Sequence, residues 1–150
     1  LIACVFALLT GCQSDGGAKA PADAPLYERL GGDRTITAVV DDFVANAAKN
    51  PKVNFTRAGT PRQWQPTDAN VARLKQRLVE FISSATGGPH RYTGRPMKEA
   101  HAGMKITNAE FDAAAGDLIA SLDKFKVPQK EKDELIAIVA TTRKHVVEVK

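Results

Sequence analysis

Apolar side chains recur every three or four residues over long stretches of this chain, and no other feature constrains its fold as strongly. This spacing marks one face of an α-helix, whereas a half-buried β-strand would show strict alternation, which we find nowhere. The stretches cover residues 36–47, 71–85 and 111–125, and a fourth follows Pro128. Helices with one apolar face bury that face against each other, so the sequence predicts an all-α domain.

Capping and breaking residues delimit the first two helices. We predict Asp33 as the N-cap of the first helix, which ends at Pro51 because proline cannot continue a helix. Thr67 or Asp68 is positioned to cap the second helix, and the Gly-Gly-Pro run at 87–89 stops it. Residues 56–66, with two prolines and the only tryptophan, are expected to form an ordered loop or an insertion.

The remaining helices carry clear start signals. Pro96 opens a short helix that runs to about Ala102 and breaks at Gly103. Thr107 and Glu110 have the spacing of a capping box, in which the threonine side chain and the glutamate each satisfy a backbone N–H at the helix start. A last helix is predicted over residues 128–146.

The N-terminal segment is typical of an export signal rather than of the folded domain. Residues 1–9 are all apolar, too short a run to span a bilayer, and no initiator methionine or basic start precedes them, so the sequence is expected to begin inside a signal peptide. Residues 9–12, Leu-Thr-Gly-Cys, resemble the lipobox of bacterial lipoproteins, which implies lipidation at Cys12. A plain secretory signal or a buried strand is the alternative.

Three regions follow from this pattern: a signal segment at 1–12, a flexible Gly-, Ala- and Pro-rich tether at 13–25, and a folded domain at 26–150. We expect the protein to be exported and lipid-anchored to a bacterial membrane, facing the periplasm or the cell exterior.

Composition excludes several functional classes. Both cysteines, Cys4 and Cys12, precede the folded domain, which therefore lacks thiolate-bound zinc, iron–sulfur clusters and cysteine nucleophiles. No Cys-x-x-Cys-His motif occurs, so any haem would be bound non-covalently. The net charge of +4 is scattered rather than gathered in a stripe, so we expect no nucleic-acid partner.

Three histidines are the remaining candidates for chemistry. His145 lies off the apolar face of the last helix, His90 lies in the loop after the second helix, and His101 ends the short helix. From the residues alone, a histidine at such a helix end is more often a capped or packed residue than a metal ligand.

The order of motifs extends this interpretation. Three motifs in this order resemble those of group I truncated haemoglobins, a bacterial-like globin family, and the resemblance covers most of residues 26–146. The motifs are Leu-Tyr-x-x-Leu-Gly-Gly at 26–32, Gly-Gly-Pro-x-x-Tyr-x-Gly at 87–94 and His-x-Gly-x-x-Ile-x at 101–107. The resemblance implies a two-over-two helical sandwich around a pocket for haem b (iron protoporphyrin IX). It also implies that His101 is the iron ligand and that its second ring nitrogen donates to a backbone carbonyl or to water.

The same resemblance implies a set of haem-contacting residues, although plain core packing explains the apolar ones equally well. Ile138 or Val139 is a further candidate for the apolar wall of the haem pocket. Arg77, Arg95 or Lys98 could pair with the haem propionates, although exposure to solvent explains each of these side chains as well. The predicted cofactor-binding set is Phe55, Leu74, Arg77, Leu78, Tyr92, Met97, Ile106 and Phe111.

The distal side departs from the family pattern. Group I members often place a tyrosine and a glutamine where they donate hydrogen bonds to the gas ligand, but alignment puts Val44, Leu74 and Leu78 at these positions. Three explanations stay open: a truly apolar pocket favouring CO, NO or fast-exchanging O₂, a donor supplied around Trp64 by Gln63 or Gln65, or an alignment slip of one residue.

Three hypotheses of function follow. The first is a tethered haem protein that reversibly binds a diatomic gas. The second is an enzyme, an NO dioxygenase or a peroxidase-like protein, which needs a reductase or another electron donor as partner. The third is a haem-free helical interaction lipoprotein, because a fold does not by itself imply a function.

Overall fold

The computed structural model describes residues 20–150, so the proposed signal segment, its Cys12 and most of the tether lie outside the described residues. Residues 20–25 precede the first helix and form a turn in which the Ala24 N–H donates to Pro21 O. The helices within the described range are α1 (Leu26–Arg29), α2 (Gly32–Lys49), α3 (Asp68–Ala85), α4 (Met97–His101), α5 (Asn108–Lys124), α6 (Gln129–Thr141) and α7 (Arg143–Val146). None of the helices in this part of the chain is long and apolar enough to cross a membrane.

Several predicted start signals are confirmed. Thr67 is the N-cap of α3, and its side chain accepts a hydrogen bond from the Asn70 N–H. Both halves of the capping box at α5 are present, since Thr107 accepts from the Glu110 N–H and the Glu110 carboxylate accepts from the Thr107 N–H. These bonds satisfy backbone donors that the helix itself leaves unpaired.

The prediction that Asp33 caps α2 is wrong. The helix begins at Gly32, two residues earlier than an Asp33 cap would place it, and its N-cap is Gly31 in the left-handed region at φ 94°. A glycine adopts this conformation without a steric penalty, so the chain turns directly from α1 into α2. Asp33 lies in the first helical turn, and its carboxylate contacts the ring nitrogen of His90 at 2.8 Å.

The last helix is interrupted, contrary to the single helix predicted over residues 128–146. It is divided at Thr142 into α6 and α7. Thr141 and Thr142 donate their hydroxyls to Ile138 O and Val139 O, each at 2.7 Å. Threonine hydroxyls that bond to a preceding carbonyl compete with the regular helical ladder, which explains a break at this point.

Two pairs of long helices form the domain, as the resemblance predicts. Helix α2 packs against α3 and against α5, and α5 packs against α6, while α3 has no comparably extensive contact with α5 or α6 in the described chain. Val40, Leu122 and Leu135, on α2, α5 and α6, are each at most 2% exposed. The core therefore lies between α2, α5 and α6, and α3 is attached to it mainly through α2.

Buried polar groups join α2 to α5. Ser121 is fully buried, donates to the Asp42 carboxylate at 2.9 Å and accepts from the Asn46 amide at 3.2 Å. Farther along the same pair, the Asn50 amide donates to Asp117 at 2.9 Å. Because each buried polar group has a partner, the network costs little stability and selects one arrangement of these two helices.

Candidate haem site

His101 is the last residue of α4, and its side chain is half-buried. Nδ1 lies 2.8 Å from Met97 O, four residues earlier in the helix. A carbonyl oxygen only accepts hydrogen bonds, so Nδ1 carries the proton and Nε2 presents its lone pair. Burial lowers the pKa of His101, and the hydrogen bond to Met97 opposes this shift in part. The result is a neutral imidazole with one nitrogen available to a metal.

Nε2 of His101 has no hydrogen-bond partner within residues 20–150. The hydrogen bond expected for the second ring nitrogen is present, because Met97 O occupies Nδ1. An imidazole oriented by a carbonyl on one nitrogen and open on the other has the donor arrangement that haem iron accepts.

The apolar face of α3 is only partly covered by protein. Helices α2 and α3 are both 18 residues long, yet α2 buries five side chains and α3 buries only Ile82 and Ser83. Five apolar side chains of α3 pack against the core while remaining only partly buried: Val71, Leu74, Leu78, Val79 and Phe81. A flat apolar group against this face would remove further apolar surface from water, which is what a porphyrin does.

Further apolar side chains lie on or next to α4 and on α6. Met97 and Ile106, which precede and follow His101 along the chain, are half-buried, and so are Ile138 and Val139 on α6. Phe111 is 9% exposed, and the Arg143 guanidinium lies 4.3 Å from the centre of its ring. Plain packing therefore accounts for Phe111, whereas the other four keep apolar surface that a cofactor would cover.

Phe55 and Trp64 form an aromatic pair before α3. Their ring centres lie 5.1 Å apart, and the Trp64 Nε1–H donates to Phe55 O at 2.8 Å. The indole N–H is thus already used, while Gln63 and Gln65 are exposed. Of the open explanations for the distal side, these contacts favour an apolar pocket over a donor from this loop.

The predicted distal residues have different surroundings. Val44 is 3% exposed and belongs to the core, whereas Leu74 and Leu78 are half-buried on α3. All three side chains are apolar, so none of them can donate a hydrogen bond to a gas ligand.

Two polar residues of the predicted site, Arg77 and Tyr92, already have partners in the protein. Arg77 donates to Glu80 at 2.7 Å and also contacts the Thr93 hydroxyl. The Tyr92 hydroxyl donates to Arg95 O at 2.9 Å, and its ring packs edge-on against Phe81 with the centres 6.0 Å apart. Arg77 and Tyr92 therefore brace the loop that leads to His101.

The other two histidines are poorer ligand candidates. The His90 side chain is 45% exposed and pairs with Asp33, and His145 is exposed on α7. Among the three histidines, His101 alone combines partial burial with apolar side chains nearby in the chain. The donor chemistry and the partly covered apolar faces together fit a haem group held by His101.

Sequence reasoning missed one buried residue next to this site. Arg57 is 6% exposed, and it donates to Met104 O at 3.0 Å and to Glu110 at 3.1 Å. Nothing in the sequence indicates this burial, because an arginine in a Gly- and Pro-rich loop ordinarily has a solvated side chain.

Comparison with known proteins gives a consistent set of relatives. A family model described as bacterial-like globin matches residues 25–148. The group 1 truncated hemoglobin GlbN of Mycolicibacterium paratuberculosis is 35% identical over 117 residues, which cover 78% of this chain and 79% of that relative. The family match extends across all seven helices that the structure describes between residues 20 and 150.

Solved structures agree with these sequence relatives. The truncated hemoglobin of Tetrahymena pyriformis in its Fe(III) form aligns with a TM-score of 0.71 at 27% identity, covering 83% of this chain and 98% of that chain. The 2/2 hemoglobin of Synechococcus sp. PCC 7002, solved in the cyanomet state with covalently attached heme, aligns with a TM-score of 0.70 at 32% identity and the same coverage.

Proposed function

The chain belongs to the bacterial-like globin family, and from this premise we propose that it is an exported haem b protein that holds iron through His101 and reversibly binds a diatomic gas. Globins of this family bind haem, and the truncated-globin fold is present here. When bound, haem supplies an iron centre that takes up O₂, NO or CO, chemistry that no side chain provides.

One observation carries the proposal: the orientation and protonation of the His101 imidazole. Met97 O occupies Nδ1 at 2.8 Å and so selects the tautomer whose Nε2 lone pair is free. Burial lowers the pKa of this ring, which keeps the neutral, metal-binding form at neutral pH.

The chain's own residues would shape what the site binds. Leu74 and Leu78 on α3 are half-buried and apolar, and the Trp64 N–H is engaged by Phe55 O. Bound O₂ carries partial negative charge, so hydrogen-bond donors on the distal side strengthen its binding. A site without such donors lacks this stabilisation. We therefore propose a protein that binds CO and NO well and exchanges O₂ quickly.

A spectroscopic comparison of histidine variants tests the proposal. The wild-type protein, reconstituted with haemin, is expected to show a Soret band that shifts on reduction and again on addition of CO. His101→Ala should lose these spectra or bind haem with altered ones, because it removes the only proposed protein ligand. His90→Ala and His145→Ala are matched controls and should leave the spectra unchanged. No Soret band in the wild type, or unchanged spectra in His101→Ala, would refute the assignment.

The cellular location is a separate part of the proposal. The apolar run of residues 1–9 and the lipobox-like Leu-Thr-Gly-Cys ending at Cys12 support export and a lipid anchor. Mass spectrometry of the protein from a bacterial host is expected to find a diacylglyceryl group on Cys12, and Cys12→Ser should release the protein from the membrane fraction. An unmodified Cys12 in the mature protein would remove the anchor from the proposal and leave haem binding intact.

A further inference from the structure

The position of α4 cannot be set by the helix alone. This helix has only five residues, which is far below the length at which an isolated helix is stable in water. Its place in the fold must therefore come from contacts that hold the chain on either side of it. On the C-terminal side, the Met104 N–H donates to His101 O at 3.0 Å and forms a turn directly after the proposed ligand.

Arg57 holds this turn from the other side. Its Nε donates to Met104 O at 3.0 Å. The backbone of Met104 is therefore hydrogen-bonded to His101 through its nitrogen and to Arg57 through its oxygen. The guanidinium is fixed in turn by both carboxylate oxygens of Glu110, at 3.1 Å and 3.3 Å, in the first turn of α5. Two hydrogen bonds thus separate Arg57 from the backbone of His101.

The local backbone at Arg57 is unusual for this residue type. Its φ is 55°, in the left-handed region that glycine or asparagine adopts more readily, and its side chain is only 7% exposed. A strained conformation persists when surrounding contacts determine it, and here those contacts are a paired carboxylate and two carbonyls, Met104 O and Val53 O.

We propose that Arg57 is a positioning residue for His101, which it holds in place through the Met104 turn and Glu110. Since Arg57 lies two residues from Phe55, the loop at 56–66 connects the aromatic pair of Phe55 and Trp64 to the ligand segment, which comprises α4 and the turn that ends at Met104. This inference rests on the proposed haem ligation, but part of its test does not require haem.

Arg29 provides a matched control for Arg57. Arg29 is also a mostly buried arginine, with an Nε that donates to a carbonyl, Ala24 O at 3.1 Å, and a guanidinium that pairs with Glu131 and Glu134. It joins α1 to α6, however, and within residues 20–150 none of its hydrogen bonds reaches α4 or the turn after it. Loss of either arginine should cost stability, and only the loss of Arg57 should affect His101.

The experiment compares Arg57→Asn, Arg57→Lys and Arg29→Gln with the wild type, asparagine being chosen because it tolerates a positive φ. In the haem-free protein, hydrogen exchange at the Met104 and Lys105 amides should become about tenfold faster in Arg57→Asn, as expected for loss of a charge-assisted hydrogen bond. In the ferrous haem protein, the iron–histidine stretching band in the resonance Raman spectrum should shift and broaden. Arg57→Lys should give intermediate effects, and Arg29→Gln should give neither.

The outcomes separate this inference from the proposed function. If the wild type shows an iron–histidine band that is the same in Arg57→Asn and Arg57→Lys, and amide exchange is also unchanged, the positioning role is refuted. If the wild type binds no haem, the proposed function fails, and amide exchange alone then decides whether Arg57 holds the segment. Should Arg57→Asn fail to fold, Arg57→Lys against Arg29→Gln still decides the question.

Discussion

A donor introduced on α3 is expected to slow oxygen release. Leu78 lies in the middle of α3, one helical turn after Leu74, and both are half-buried apolar side chains on the face proposed to cover the distal side of the haem. Leu78→Gln places an amide N–H donor on this face without greatly changing side-chain length. A hydrogen bond to a partly charged ligand is worth about 1–3 kcal/mol. We therefore expect the rate constant of O₂ dissociation to fall about 5- to 150-fold.

The cost of Leu78→Gln to the fold should be modest. Complete burial of a leucine side chain is worth about 1.5–3 kcal/mol, so a half-buried leucine stands to lose about 1 kcal/mol of unfolding free energy. The amide also keeps part of its hydration, because this face is not sealed by protein. The variant should therefore fold and bind haem.

Stopped-flow measurement of O₂ dissociation, with CO as the competing ligand, checks this prediction. Leu78→Met is the matched control, since methionine has similar length and no donor, and its rate constant should stay close to that of the wild type. Leu74→Gln tests the neighbouring turn in the same way. Unchanged O₂ dissociation in both glutamine variants, with normal haem spectra, would show that α3 does not face the gas ligand.

Three further predictions concern stability. Hydrogen bonds from Arg77 and from the Thr93 backbone and hydroxyl lower the pKa of Glu80 to about 2, from an ordinary value of 4.5. The stabilisation from Glu80 is thus complete above about pH 5 and is lost as the pH falls towards 2. Urea titrations should therefore show a difference in unfolding free energy between wild type and Glu80→Gln that becomes smaller as the pH falls through this interval. In Gly88→Ala, the new methyl group would overlap Tyr27 and the Ser83 hydroxyl, and we expect a loss of about 1–3 kcal/mol in the same titrations, an expectation that an unchanged midpoint would contradict. Leu122→Ala removes a core side chain that is 1% exposed and should cost about 2–5 kcal/mol, seen as a lower melting temperature in calorimetry, whereas Ala120→Ser on the exposed side of the same helix should have little effect.

Local signals in the sequence were sufficient for most of the helical framework. The apolar spacing identified α2, α3, α5 and α6, and the side chains of Thr67 and Thr107 marked the starts of α3 and α5. These features depend on residues within about one helical turn of each other, where spacing in the sequence and distance in space are nearly the same.

The apolar spacing and the residue types failed at two helix ends. Asp33 has the residue type of an N-cap, but a glycine turn precedes it and His90, 57 residues away along the chain, takes its carboxylate. The break at Thr142 was missed because an apolar spacing of helical period does not reveal hydroxyl-to-carbonyl bonds.

The proposed haem site also depends partly on local and partly on distant contacts. The sequence alone placed His101 at the end of a short helix between Pro96 and Gly103, and motif order then indicated its role. The hydrogen bond from Nδ1 to Met97 O, which leaves Nε2 free, is a local contact within α4. Only the tertiary structure decided what holds α4 and the turn after it in place. Arg57 reaches Met104 and Glu110 across 47 and 53 residues, and contacts at that separation exist only after the helices have packed.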